Sequence, residues 1–221
     1  MTHSLRVIAA TALLMCGWKV LAFGAITSLP AISGLNENAN VEIRYAPGGR
    51  VHGWEFIANS SFTVTHLGLF DVGRDGFNIR HPMGLFRSRD QRLLTQSVMA
   101  AGESGFLRNG FRYTDTPDAS IEAGEKYVVC FLTATINGGT QGDGVIVRGD
   151  EMVSPVLTIT QSGWYGANSY LGFPYRLTNL VGYPDLIGPS FLYSIPEPGT
   201  ITLASAVFAN VAALRRRRRS C

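Results

Sequence analysis

"FTVTHLGLF", Phe62 to Phe70, is the stretch on which the fold turns. Its residues fall into two alternating sets, Phe62, Val64, His66 and Gly68 against Thr63, Thr65, Leu67 and Leu69. A period of two marks a strand, because successive side chains leave the backbone on opposite faces. Working outward, no amphipathic helix stands between Ile26 and Ser194. Short apolar or alternating runs recur instead, each closed by Gly, Asp, Asn or Pro. They are "VEIRYA", "GWEFIANS", "HPMGLFRS", "RLLTQSVMA", "GFRYT", "KYVVCFLTA", "GVIVRG" and "SPVLTIT". Short strands divided by turn signals predict an all-β antiparallel sandwich or barrel. Sequential strands in such folds are mostly joined as hairpins.

The punctuation between runs is equally readable. "SRDQ" separates Leu85–Arg87 from Arg92–Met99 and predicts a hairpin whose tip displays Arg87, Arg89 and Arg92. "IEAGEKY" places Gly124 in a turn, and Pro117-Asp118 predicts a type I turn.

The two ends differ from this middle. "MTHSLRVIAATALLMCGWKVLAFGA" has Arg6 ahead of an apolar run from Val7 to Trp18, with small residues near Ala22 and Gly24. That is the order of a signal peptide, expected over residues 1–22. At the other end, "IPEPGTITLASAVFANVAALRRRRRSC" has Pro196 and Pro198 marking a helix start. Gly199 to Leu214 carries no charge. As a helix it would span roughly 24 Å, a little short of a hydrocarbon core of about 30 Å. Arg215, Arg216, Arg217, Arg218 and Arg219 follow as a membrane stop held on the cytoplasmic side. The expected division is therefore signal peptide 1–22, linker 23–40, β-sandwich 41–194 and tail 195–221. The tail comprises motif 195–198, transmembrane helix 199–214 and arginine run 215–219. A nucleic-acid patch or a core helix is the other reading of the tail.

Charge follows the same partition. Lys and Arg number 19 and Asp and Glu 16 over the whole chain. Arg6, Lys19 and the five tail arginines leave 12 basic residues against all 16 acids, which lie between Ala22 and Gly199, so the processed product would carry about −4. That removes the main support for nucleic-acid binding. Of the three cysteines, Cys16 and Cys221 lie in the end segments. Only Cys130 remains in the middle, so no disulfide forms within it, and its apolar run predicts a buried, inert thiol.

Pro196-Glu197-Pro198, an apolar helix and a terminal arginine run together resemble the PEP-CTERM sorting signal, also known as the ice-binding-protein C-terminal motif. The resemblance implies a Gram-negative exported protein. Its partners would be signal peptidase, the inner membrane before processing, and an exosortase recognising Pro196, Glu197 and Pro198. It also implies association with extracellular polysaccharide at the cell surface. Ice binding is not implied. From Gly53 to Thr133, "GWEF", "LGLFDVGRDGF", "MGLFRSRDQRLLTQSV", "GFRYTD" and "IEAGEKYVVCFL" resemble, in that order, the DUF4082-like β-sandwich of secreted bacterial proteins. "IGPSFLYSIPEP" resembles its junction with the tail. That family carries no established chemistry. The fold expected is thus all-β: one antiparallel, jelly-roll-like β-sandwich between a signal helix and a transmembrane helix.

Candidate sites are few. In "FDVGRDGFN", Asp71, Asp75 and Asn78 offer oxygens suited to Ca²⁺, with Asp143 as a further donor, yet their spacing is not that of an EF-hand. Asp75-Gly76 is also a common turn dipeptide. No other cofactor is expected. His52, His66 and His81 lack zinc spacing. His66 alternates along its strand as a core or sheet-face residue would. No G-x-S-x-G elbow occurs, so a serine hydrolase lacks support. "SGWYGANSYLGFPYRLTNLVGYPD" gathers Trp164, Tyr165, Tyr170, Phe173, Tyr175 and Tyr183. Exposed, Trp164, Tyr165 and Tyr170 form a platform for sugar rings; buried, these aromatics close one end of the core. The expected function is a non-enzymatic surface or matrix protein that binds exopolysaccharide. The alternative is a secreted carbohydrate-active enzyme, which needs two carboxylates across a cleft.

Overall fold

A computed structural model of the protein describes residues 28–35, 42–45, 49–133, 145–148, 152–166, 170–174, 176–177 and 188–195. Its strands are β1 (Leu29–Pro30), β2 (Ile32–Ser33), β3 (Glu42–Tyr45), β4 (Arg50–Ala58), β5 (Phe62–Phe70), β6 (His81–Arg87), β7 (Arg92–Met99) and β8 (Phe106–Arg108). They continue with β9 (Phe111–Ile121), β10 (Lys126–Thr133), β11 (Val145–Arg148), β12 (Met152–Val153), β13 (Leu157–Gly166), β14 (Arg176–Leu177) and β15 (Pro189–Ser194). A 3-10 turn covers Val72–Arg74.

Two larger sheets dominate, and every pairing within them is antiparallel. One has five strands in the order β1-β15-β5-β9-β8, the other six in the order β14-β13-β4-β10-β6-β7. Two short ladders, β11-β3 and β12-β2, complete the described strands. The chain is therefore all-β and β-sandwich-like. Hairpins join β6 to β7 and β8 to β9. Elsewhere the expected hairpin linkage gives way: β4 and β5, three residues apart, belong to different sheets. β4 pairs instead with β10 and β13, and β5 with β9 and β15. Adjacent strands that are apolar on one face gain more by packing face to face across a core than by pairing edge to edge.

The core lies between the two sheets. Trp54 and Phe56 from β4, with Tyr127, Val129 and Phe131 from β10, meet Phe62, Val64, Leu67 and Leu69 from β5 and Phe191 and Tyr193 from β15. Phe191 stacks on Trp54 at 6.0 Å between ring centroids and reaches Phe56 at 5.3 Å. The Trp54 indole N–H donates to the Pro189 carbonyl at 2.7 Å, so its one polar atom is satisfied across the two sheets. Its neighbour Gly53 has no room for a side chain, since a Cβ there would lie 2.2 Å from the Val129 carbonyl oxygen.

The alternation of Phe62–Phe70 does not run unbroken. Val64 stands opposite Tyr193 and Leu67 opposite Phe191, yet Tyr193 and Phe191 are only two residues apart. Thr65 is the extra residue of a β-bulge. It reverses the phase of the strand, so Phe62 and Val64 before it and Leu67 and Leu69 after it all face the core. His66 and Gly68 face outward. The same irregularity absorbs Pro117-Asp118, which lies inside β9 rather than in the expected turn. The β5–β9 register jumps there from Val64 opposite Ala119 to His66 opposite Asp115. Proline, with no N–H to give a ladder, is tolerated at such a break.

Two other expectations change. Residues 28–35 fall within the expected linker 23–40, yet β1 pairs with β15 and β2 with β12, and Ala31 and Ile32 are fully buried in the core. The β6–β7 hairpin forms as expected. Its tip is not simply displayed: Arg87 pairs with Asp90 at 2.5 Å and Arg89 with Glu125 at 2.9 Å.

Candidate functional site

The calcium candidates come first. Asp71 follows β5 and is almost wholly buried, as is Arg112 on β9. The Arg112 Nε–H donates to the Asp71 carboxylate. The backbone N–H of Gly76 donates to both Asp71 oxygens at 3.2 Å. Arg112 also donates to the carbonyls of Glu103 and Arg74, each at 3.0 Å. A carboxylate engaged by a guanidinium is already paired with a positive charge, and this ion pair ties the loop to β9. Among the described residues, no three His, Cys, Asp or Glu are grouped so as to hold a metal ion.

Of the aromatic segment, residues 164–166, 170–174 and 176–177 are among the described ones. Trp164 and Tyr165 are successive β13 residues, registered opposite Gly53 and His52 of β4. After Gly166 the described chain resumes at Tyr170, which is 68% exposed. Leu171 and Phe173 pack instead on a second apolar cluster of Val51, Phe86, Val128, Cys130 and Leu132. This cluster covers the outer face of the six-stranded sheet, with Phe173 edge-on to Phe86 at 5.8 Å. Cys130 is buried there, and burial pushes its thiol pKa up. An inert structural thiol is what such a site gives.

The expected sorting motif Pro196, Glu197 and Pro198, the segment 199–214, the arginines 215–219, the segment 1–22, Asp143, Tyr175 and Tyr183 lie outside the described residues. No helix among the described residues is long and apolar enough to cross a membrane.

One cluster emerges that the spacing of residues does not reveal. On the outer face of the five-stranded sheet, the ladder places Asp115 opposite His66, and Tyr113 opposite both Gly68 and Phe106. His66 Nε2 stands 2.9 Å from Asp115 Oδ1, and His66 Nδ1 stands 2.8 Å from the Thr65 hydroxyl. Phe106 meets the His66 ring edge-on, at 5.3 Å and 86°. It lies more nearly parallel to Tyr113, at 5.8 Å and 32°. Tyr113 is buried, its ring covering Gly68, where a Cβ would come within 2.5 Å of it. Its hydroxyl reaches the Ser190 hydroxyl at 3.3 Å. The sequence signals were weak: Phe106 sits in a three-residue strand between glycine-containing turns, and Asp115 is 49 positions from His66.

No protein-family model matches the chain, and no curated protein matches it. The class defined by the structure is therefore the coarse one, an all-β protein built on two antiparallel sheets.

Proposed function

We propose that the chain is an exported, non-enzymatic protein of the bacterial surface or extracellular matrix. In this reading its jelly-roll-like, DUF4082-like sandwich is the cargo, and both ends are addressing segments. A signal helix at 1–22 starts export. The apolar helix at 199–214 and the arginines at 215–219 hold the precursor in the inner membrane. An exosortase then cuts at Pro196-Glu197-Pro198, and the released body associates with exopolysaccharide.

One observation carries the reading. β15 lies inside the five-stranded sheet between β1 and β5, and it ends at Ser194, two residues before Pro196. A cut at Pro196–Pro198 would leave every described strand in place. The mildly acidic body, free of disulfides, is consistent with a soluble released product.

The test is mass spectrometry of membrane, surface and released fractions from a Gram-negative host that encodes an exosortase. The expected product begins after Ala22 or Gly24 and ends near Pro198. Recovery of a soluble cytosolic chain that retains Arg215–Arg219 would overturn the proposal.

A further inference from the structure

We propose that Phe106, His66 and Asp115 form a binding site for neutral polysaccharide on the outer face of the five-stranded sheet. This inference rests on the polysaccharide-binding reading above and locates it.

Three observations carry it. Phe106 is 45% exposed although it is a large apolar ring. Buried Tyr113 lies 5.8 Å from that ring and His66 stands at right angles to it at 5.3 Å, so the exposed ring is braced from two sides. A rigid, supported aromatic face suits the apolar C–H face of a pyranose, which loses water on contact without ordering a flexible side chain.

The second observation is the acid beside it. The Asp115 side chain is 96% exposed, whereas its partner His66 is only 20% exposed. His66 holds one carboxylate oxygen, which fixes the orientation of the group. The other oxygen is directed away from this contact, able to accept hydrogen bonds from sugar hydroxyls, and an ionised acceptor makes these stronger than neutral ones. Asp115 lies two residues along β9 from Tyr113, roughly 7 Å on the same face. That is the reach of one sugar ring with its hydroxyls.

The third is charge and shape. Residues 23–198 carry about −4, counting 12 basic and 16 acidic residues. This disfavours acidic polymers at low ionic strength. β8 is the outermost strand of its sheet among the described residues, so the ring stands at a margin along which a polymer can continue.

The full-length chain in a non-ionic detergent would be run through native gels containing dextran, laminarin or galactomannan, with alginate as the acidic comparison. Retardation by at least one neutral polymer is expected, with none by alginate. Phe106→Ala should abolish it, Asp115→Asn should weaken it several-fold, and Met152→Ala, at another exposed apolar side chain, should leave it unchanged. A second readout guards against a folding artefact: the His66 imidazole proton resonance should shift on adding oligosaccharides of the retarding polymer. If neutral polymers retard the chain and Phe106→Ala and Asp115→Asn bind as wild type does, this site is wrong while polysaccharide binding stands. If no polymer retards the wild type, both readings fail.

Discussion

The Arg112 guanidinium and the Asp71 carboxylate, 41 residues apart in sequence, meet in an ion pair with almost no exposure to water. Two buried charges gain little net stability over an apolar pair, but either one alone is costly. Asp71→Ala is therefore expected to lose about 3–5 kcal/mol. The double replacement Asp71→Leu with Arg112→Met should lose clearly less. Urea unfolding midpoints of the two variants check this, and equal losses would show that the pair is not coupled.

The same pair sets the response to calcium. A ligand that binds only the folded state raises its stability by mass action. With Asp71 engaged by Arg112, the thermal midpoint should be the same in excess calcium as in EDTA. A calcium-dependent rise, lost in Asp75→Asn or Asn78→Ala, would show that these oxygens hold the metal after all.

Trp54 tests the core. It is fully buried, stacked on Phe191, and hydrogen-bonded to Pro189 across the sheets. Trp54→Ala is expected to cost about 3–5 kcal/mol through the cavity it leaves. Trp54→Phe, which mainly removes the hydrogen bond and some volume, should cost less than half as much. Denaturant titration followed by circular dichroism distinguishes the two.

Cys130 reports on the outer apolar cluster. Its pKa is raised because burial disfavours the thiolate, which is the reactive form. Iodoacetamide at neutral pH should leave Cys130 unmodified until the protein is unfolded, when it should react readily. Peptide mapping that separates it from Cys16 and Cys221 gives the measurement. Labelling at native strength would mean that Leu171 and Phe173 do not seal this face.

Asp90 gives a pH dependence. Its carboxyl accepts hydrogen bonds from Arg87 at 3.0 and 2.5 Å, and this holds its pKa at about 2 against an ordinary 3.8. The folded value is the lower one, so the contribution is complete above 3.8 and is lost as the pH falls through about 2. NMR titration should place the Asp90 midpoint near 2. In Arg87→Leu it should return toward the ordinary value. Because the pair is exposed, global stability should hardly register the change.

That the middle of this chain forms strands can be read from its residues in order. Period-two alternation, β-branched and aromatic residues and turn dipeptides are local properties. They suffice for the β6–β7 hairpin, for the turn at Gly124, where φ is 83°, and for burial of Cys130. They do not contain the bulge at Thr65, because Phe62–Phe70 alternates acceptably in either phase and only the partners β9 and β15 decide between them. The same holds for Pro117, read locally as a turn and placed within β9 by its pairing. It holds too for Arg112 with Asp71 and for Phe106 with His66 and Asp115. Those contacts depend on strand register, which is settled when distant segments exchange backbone hydrogen bonds and bury a common face. A short stretch records which residues prefer to be covered but not what covers them.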